Sequence, residues 1–442
     1  MLRCQCVMLG QETKNRWLWC IAVLALICGA NPAHAQLRGH GGPVRAVAVS
    51  SDGQHAVSGS FDTSVIVWSL ASNNAEQVLR FHEGAVNAVV FLKDGRIASA
   101  GEDGRIAIWR PGEDTPIKVL EGHRGPIAAL AVSADGAWLA SGAWDNTARL
   151  WSINGEATRV LEGHQQNVNG VAFTPDTSAL VTAGYDASLR IWPINRRDAP
   201  TIVTLPAPLN AVVVASDGEI LAGAANGSVY IFSPSGKIIG EVKAADMPIT
   251  ALALAPNARW IAAAGVLGTV WLIDRPNRAV ARTLVGPGPS VWSAAFLRDN
   301  STLLTGGSDR MLRRWNILSG EPIGVAGLSR FDDPLAAYAS DAGAQVFRAC
   351  VACHTLSSDQ GNRAGPSLGG IFGRKIATLP GYNFSPALKR LDIVWTPETL
   401  STLFAIGPSA YTPGTKMPEQ RIDSAEDRRA LIEFLKRATS KP

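Results

Sequence analysis

Short apolar segments, each bounded by turn residues, recur along residues 36–328 with a period near 41 residues. In the first unit these segments are 44–49, 55–59, 64–68 and 77–79. Short segments of this kind between turn residues are typical of β-strands, and a dense apolar run in the first strand of each unit is typical of strands near the centre of an assembly. The fixed period predicts an array of similar four-stranded units.

Each unit carries the same marked positions at constant spacing. An anchor residue, a tryptophan in five units, recurs at steps of 40 to 42 residues: Trp68, Trp109, Trp151, Trp192, Phe232, Ile273 and Trp315. Six residues earlier stand Asp62, Asp103, Asp145, Asp186, Asn226, Leu267 and Asp309. Four residues further back stand Ser58, Ser99, Ser141, Thr182, Ala222, Ala263 and Thr305. The first four units also begin with a histidine, at His40, His82, His123 and His164. The spacing therefore predicts seven units.

These motifs resemble those of the WD-repeat family over about two-thirds of the chain. The resemblance implies an all-β, seven-bladed propeller at 36–328 in which His, Ser or Thr, Asp and Trp form a buried hydrogen-bonded tetrad within each blade. Units one to four hold the full set, and the seventh lacks the histidine. Units five and six have lost nearly all of the set. A buried carboxylate needs hydrogen-bond partners, and in the sixth unit the Ser, Asp and Trp positions have changed together, to Ala263, Leu267 and Ile273. The repeat histidines are therefore expected to be structural and not metal ligands.

The first 35 residues have the pattern of a cleaved export signal. Basic residues end at Arg16, an apolar run of 12 residues occupies 17–28, and Ala33 and Ala35 fit cleavage before Gln36. Because a membrane span needs roughly 20 apolar residues, we expect a periplasmic protein with no stable membrane span after cleavage. Retention of this segment as an anchor is the alternative.

Two segments could complete the last blade. Residues 36–40 resemble the ends of other outer strands, whereas 321–328 can supply the same strand from the C-terminal side. Because cleavage before Gln36 would leave a very short N-terminal stub, we expect the C-terminal segment to close the ring.

Charge and cysteine content narrow the class of function. The chain has 41 Lys and Arg against 37 Asp and Glu and no run of basic residues, so it lacks the electrostatic pattern of a nucleic-acid-binding protein. Signal cleavage would remove four of the six cysteines and leave only Cys350 and Cys353. We therefore expect no structural disulfide elsewhere in the mature protein.

Residues 329–337 are polar and interrupt the repeat, which predicts a linker, and the composition then becomes helical over 338–442. This last region contains Cys350-Val351-Ala352-Cys353-His354, the attachment signature of c-type haem. The two thiols can each bond a vinyl group, and the adjacent imidazole can bind the iron. A zinc half-site and a redox dithiol are the alternatives for the cysteine pair.

Residues 338–442 resemble a class I cytochrome c along nearly their whole length. The resemblance implies an all-α domain with one covalently bound haem c, held by Cys350 and Cys353, with His354 and Met417 as axial iron ligands. The family's Gly-Thr-Lys-Met loop matches 414–417, and the domain contains no other His or Met.

Further roles are implied by the same resemblance. Haem-pocket contacts are expected at Pro366, Arg374, Tyr382, Asn383 and Trp395. The carbonyl of Pro366 is expected to accept a hydrogen bond from His354, and an N-terminal helix at 339–349 is expected to cross a C-terminal helix at 424–439. One departure from the family is Phe404, where a tyrosine is usual thirteen residues before the methionine.

Two functions of different class are compatible with this organisation. The first is a periplasmic electron-transfer protein whose propeller and haem edge dock a redox partner, such as a dehydrogenase, an oxidase or another cytochrome. The second is an oxidoreductase whose propeller holds a further cofactor and uses the cytochrome domain as an internal relay. The first is favoured because the propeller offers no spare pair of catalytic carboxylates and only His55 is an unassigned histidine.

Overall fold

The computed structural model of the chain describes residues 36–440, except 156–157, 197, 286–289, 324–334, 349, 352, 359–364, 381, 383, 416 and 418–419. The predicted export signal and most of the predicted linker lie outside the described residues. The proposed domain boundaries therefore stay predictions.

The N-terminal part forms seven four-stranded antiparallel sheets. Blade one contains β2 (Val44–Val49), β3 (His55–Ser60), β4 (Ser64–Ser69) and β5 (Asn74–Arg80). Blade two contains β6 (Val86–Phe91), β7 (Ile97–Gly101), β8 (Ile106–Trp109) and β9 (Lys118–Leu120). Blade three contains β10 (Ile127–Val132), β11 (Trp138–Ala143), β12 (Ala148–Ser152) and β13 (Thr158–Leu161). Blade four contains β14 (Val168–Phe173), β15 (Ala179–Gly184), β16 (Ser188–Pro193) and β17 (Thr201–Thr204).

The remaining three sheets complete the ring. Blade five contains β18 (Leu209–Val214), β19 (Ile220–Ala224), β20 (Ser228–Phe232) and β21 (Ile238–Lys243). Blade six contains β22 (Ile249–Leu254), β23 (Trp260–Gly265), β24 (Thr269–Asp274) and β25 (Ala279–Val285). Blade seven contains β26 (Val291–Phe296), β27 (Thr302–Gly307), β28 (Met311–Asn316) and β1 (Leu37–Arg38). The first strand of each blade contacts that of the next, and β2 contacts β26, so the predicted seven-bladed propeller is confirmed.

The prediction that the C-terminal segment closes the ring was wrong. Strand β1 pairs with the first two residues of β28, and the side chain of Leu37 is fully buried between the first and last blades. Residues 321–323 pair only with the far end of β28, at 314–316. Two N-terminal residues are enough because Leu37 fills the core at this position, whereas Pro322 has no N–H to donate to the ladder.

The tetrads form as expected within the blades, and blade two illustrates them. Nδ1 of His82 lies 3.0 Å from a carboxylate oxygen of Asp103, and its Nε2 lies 2.8 Å from the hydroxyl of Ser99. The indole N–H of Trp109 donates to the same hydroxyl at 2.8 Å. Burial alone would raise the pKa of Asp103, but the hydrogen bond and charge of His82 outweigh it and bring that pKa to about 2.

Acid should therefore weaken the propeller. A carboxylate whose pKa is lower in the folded chain stabilises the fold above its ordinary value of 3.8, and this contribution is lost as the pH falls towards the folded value. The pKa values of Asp62, Asp145 and Asp186 are also lowered, although burial opposes the shift at each. We expect the melting temperature, followed by tryptophan fluorescence, to be steady above about pH 4 and to fall towards pH 2. A melting temperature that stays constant from pH 4 to pH 2 would contradict this.

The C-terminal domain is helical. Its helices are α1 (Ala342–Phe347), α2 (Pro386–Lys389), α3 (Pro397–Ile406), α4 (Pro408–Tyr411) and α5 (Ala425–Ala438), preceded by a 3₁₀ turn at Ala336–Tyr338. Helix α1 is shorter than predicted because Asp341 caps it, accepting hydrogen bonds from the N–H groups of Gly343 and Ala344. Ser424 caps α5 as expected. None of the helices among the described residues combines the length and apolarity needed to cross a bilayer.

The predicted crossing of α1 and α5 is confirmed. The rings of Phe347 and Phe434 lie 5.5 Å apart between centroids, and the two helices are in contact. A Cβ on Gly343 would collide with the carbonyl of Ala430 and would lie 2.6 Å from Cβ of Phe434. Only glycine therefore allows the helices to approach this closely.

Replacing Gly343 by valine should destabilise the helical domain. The added methyl groups would force α1 away from α5, and overpacking of this kind costs about 1–3 kcal/mol, or more where backbone atoms collide. Denaturant unfolding followed by far-ultraviolet circular dichroism is the measurement, and the control replaces the exposed Ala425, the first residue of α5, by valine. Equal stability of G343V and the unaltered protein would show that the crossing can open without cost.

Candidate functional site

A single cavity in the C-terminal domain brings together eight of the nine residues that the sequence assigns to the site. Its wall includes Cys350, Cys353, His354, Pro366, Arg374, Tyr382, Trp395 and Met417. The ninth residue, Asn383, lies outside the described residues. Most of the remaining wall is apolar, with Phe347, Leu368, Ile371, Phe384, Leu400, Leu403 and Phe404. The cavity can therefore enclose a large, mainly apolar group while excluding water.

The cysteine segment continues directly from α1. The N–H of Cys353 and the N–H of His354 both donate to the carbonyl of Cys350, at 3.1 and 2.9 Å. This single turn brings the two cysteines and the histidine to one wall of the cavity. Neither thiol is in a disulfide, and burial, followed by the neighbouring Cys353, raises the pKa of Cys350 to about 12. Burial therefore disfavours the thiolate form of Cys350.

The imidazole of His354 is held in one orientation. Its Nδ1 lies 2.8 Å from the carbonyl oxygen of Pro366, and since a carbonyl can only accept, Nδ1 must carry the proton. In this tautomer, Nε2 is the ring nitrogen that carries the lone pair. A Cβ on Gly365 would lie 2.7 Å from both ring nitrogens, so glycine is required beside the ring. The hydrogen bond that the sequence implied between these residues is thus present.

Met417 reaches the cavity from an anchored loop. Gly414 has a φ of 79°, and its carbonyl accepts a hydrogen bond from the hydroxyl of Ser385 at 2.9 Å. The N–H of Met417 donates to the hydroxyl of Thr415 at 3.2 Å. A left-handed φ favours glycine at 414. These contacts hold the thioether at the wall of the same cavity as His354.

The comparisons with known proteins match this geometry. Residues 340–439 match the family described as Cytochrome c. A cytochrome c of Gibberella zeae is 41% identical over 98 residues, which are 22% of this chain and 92% of that protein. A cytochrome c of Sesamum indicum is 38% identical over 99 residues, which are 22% of this chain and 88% of that protein.

The chain belongs to the cytochrome c family.

The propeller matches a second family, described as WD domain, G-beta repeat. The matched residues are 32–69, 73–110, 114–152, 155–193 and 279–316. The stretch between the last two matches contains blade five and the first three strands of blade six, and these two blades have lost nearly all of the tetrad residues. These blades nevertheless have four strands each. The chain is therefore a WD40 propeller joined to a cytochrome c domain.

The cytochrome c relatives imply a covalently bound haem c, and the charges of the cavity test whether the group fits. The guanidinium of Arg374 donates to the backbone carbonyls of Gly369 and Ser367, each at 2.9 Å, and it has no ion pair with a described carboxylate. Burial lowers the pKa of Arg374. A buried cation without a counter-ion is costly, and the propionates of a haem would supply the missing negative charge. The donor set and the apolar wall fit a haem c.

Two aromatic residues complete this side of the cytochrome c domain. Trp395 is fixed by its backbone, which donates to the carbonyl of Arg374 at 3.0 Å and accepts from the N–H of Gly373 at 2.8 Å. The rings of Tyr382 and Phe384 lie 4.8 Å apart in an edge-on arrangement, and burial raises the pKa of Tyr382. Both predicted residues therefore contribute to the wall near Arg374.

Sequence reasoning missed a charged residue of the wall, Arg80. It belongs to β5 of the propeller, some 270 residues before the cysteine motif. No local motif marks it, because its position beside the haem cavity depends on how the two domains pack together.

Proposed function

We propose that this protein is a periplasmic electron-transfer cytochrome in which one haem c, ligated by His354 and Met417, exchanges single electrons, while the propeller docks the redox partner. The observation that carries the proposal is the orientation of His354. The proton on Nδ1 faces the carbonyl of Pro366, so Nε2 carries the lone pair that would bind iron, and His354 and Met417 line the same cavity. Cys350 and Cys353 would hold the group through thioether bonds.

The haem supplies an iron that changes between ferric and ferrous states, and the residues around it set the conditions for that change. The hydrogen bond from His354 to Pro366 fixes the ring and raises the basicity of the ligand nitrogen. Thioether ligation by Met417 favours a higher reduction potential than a harder ligand would. Ligation of the iron by both His354 and Met417 would leave no ligand position for a substrate, which would suit electron transfer better than catalysis.

Partner docking rests on the propeller and on surface charge. The region 338–442 has 13 Lys and Arg against nine Asp and Glu, so a complementary acidic surface on a dehydrogenase, an oxidase or another cytochrome could be steered towards the haem edge. WD40 propellers present a large rigid surface for such contacts. The export signal expected at 1–35 supports a periplasmic location, because c-type haem attachment in bacteria takes place outside the cytoplasm.

The test is a redox titration of the full-length protein after export with its own leader. We expect one covalently bound haem per chain, a one-electron titration, and no binding of carbon monoxide to the reduced protein. A second chromophore in the spectrum would instead favour the alternative, an oxidoreductase whose propeller holds its own cofactor. Absence of covalent haem would overturn the proposal.

Location needs a separate measurement. Fractionation of the producing cells should place the haem-stained chain in the periplasm. N-terminal sequencing of that chain should show that it begins at Gln36, with residues 1–35 removed. Recovery of the chain only with the membrane, at its full length, would favour retention of 1–35 as an anchor.

A further inference from the structure

The cytochrome c domain packs directly on the first blade of the propeller, at the second haem-binding cysteine. Cys353 packs against the hydrophobic cluster between the first and last blades, which includes Leu37, Ile66 and Trp68. A Cβ on Gly41 would lie 3.9 Å from the sulfur of Cys353. The propeller therefore covers part of the site in which the haem would lie.

Arg80 reaches the same cavity from the end of β5. Its Nη1 donates to the backbone carbonyl of Asp62 at 3.2 Å, which directs the side chain along the edge of blade one. Its Nε is buried and has no hydrogen-bond partner. The guanidinium forms no ion pair with a described carboxylate, although it is close enough to Tyr382 to oppose the rise in the pKa of that hydroxyl. Arg80 is thus a cation with an unused buried donor at the wall of the haem cavity.

An unpaired buried donor costs about 1–3 kcal/mol, so its presence calls for an acceptor that the protein itself does not supply. The anionic groups of a haem c are its two propionates. Two guanidinium groups without carboxylate partners, those of Arg80 and Arg374, line the cavity. The cavity therefore has two guanidinium groups without a carboxylate partner, one for each propionate of a haem c.

We propose that Arg80 is a haem-binding residue contributed by the propeller, and that its guanidinium pairs with a haem propionate. The inference rests on the proposed function, since it requires haem c in this cavity. It assigns the propeller a role beyond partner docking: blade one forms a wall of the haem site and helps to set the reduction potential.

The charge of Arg80 determines whether its removal raises or lowers the reduction potential. A cation beside the haem disfavours the ferric state, which carries one more positive charge than the ferrous state. An unpaired propionate would favour the ferric state further. Replacing Arg80 by glutamine in the full-length protein should therefore reduce the equilibrium constant for haem reduction about tenfold, a fall of about 59 mV for one electron.

The experiment is spectroelectrochemical titration of R80Q, R80K and R149Q beside the unaltered protein. Arg149 is a matched control, because its Nε is also buried without a partner but it lies in blade three and does not line the cavity. R80K should keep most of the potential, since it keeps the charge, and R149Q should leave the potential unchanged. Equal potentials for R80Q and the unaltered protein, at full haem content, would overturn the inference.

A second readout covers the case in which R80Q does not accumulate. Resonance Raman spectra of R80K should show a shifted propionate bending mode, because an ammonium cannot reproduce the hydrogen bond of Nε. An unshifted mode in R80K would overturn the inference. Failure of the proposed function is distinguishable, because it would appear in the unaltered protein as missing haem or as no one-electron titration.

Discussion

Replacing Met417 by leucine is expected to lower the reduction potential by on the order of 100 mV or more, well within the ~0.8 V range over which axial ligands tune haem proteins. Thioether ligation stabilises the ferrous state relative to harder ligands, and leucine has no atom that can replace it. The apolar wall around Met417 would remain, because leucine has nearly the same volume. The change should therefore act on the iron and not on the fold.

The same variant should bind external ligands. With one axial position open, the reduced protein is expected to take up carbon monoxide, which the unaltered protein should not do. Met247 provides the control, since it is 40% exposed and belongs to the propeller, so M247L should leave both properties unchanged. An M417L protein with an unaltered potential and no affinity for carbon monoxide would show that Met417 is not the sixth ligand.

The haem site shows which residues of a binding site can be predicted from the sequence. Cys350, Cys353 and His354 lie within five consecutive residues, so one turn after α1 is enough to bring them together. Met417 was assigned from its four-residue loop, and the structure places it at the same cavity. Short motifs can be recognised in a sequence because local backbone geometry determines the arrangement of their residues. Arg80 had no such motif and depends on the contact between two domains.

In the propeller, too, local features could be predicted from the sequence and contacts between distant segments could not. The period and the tetrad positions predicted seven blades, because each blade repeats one local arrangement of four strands. Closure was predicted wrongly, since it depends on competition between two segments for one edge of β28. The burial of Leu37 decides that competition, and a hydrophobic residue next to a predicted cleavage position gives no sign of where it will pack.

Phe404 is the clearest departure from the cytochrome c pattern, and its surroundings could not be inferred from the sequence. The side chain is buried and lines the cavity, and its carbonyl accepts a hydrogen bond from the N–H of Ile422 at 2.9 Å. The wall at this position is therefore apolar where a hydroxyl is usual.

Blades six and seven show how the tetrad can be replaced. In blade seven the histidine is missing, and Asp309 pairs instead with Nε of Arg313, while Trp315 still donates to the hydroxyl of Thr305 at 2.9 Å. In blade six the serine and tryptophan positions hold Ala263 and Ile273, both fully buried. Replacing a complete buried polar set by apolar residues can be neutral, whereas removing one member leaves its partners unpaired.

Removing Ser99 alone should therefore destabilise the propeller strongly. Its hydroxyl lies 2.8 Å from both Nε2 of His82 and the indole nitrogen of Trp109. Alanine would leave both buried groups without a partner, and each unsatisfied group costs about 1–3 kcal/mol. We expect S99A to lower the free energy of unfolding by about 2–6 kcal/mol, measured by denaturant titration of the full-length protein with tryptophan fluorescence.

Two further variants determine whether unpaired donors are the cause. Thr305 accepts the indole N–H of Trp315 in a blade that has no tetrad histidine, so T305V should leave one donor unpaired and cost about half as much as S99A. Ser72 is exposed, and S72A should change the free energy of unfolding by less than about 0.5 kcal/mol. If S99A costs no more than S72A, the tetrad hydroxyl does not stabilise the blade. If T305V costs as much as S99A, the contact with His82 adds nothing to the contact with the indole.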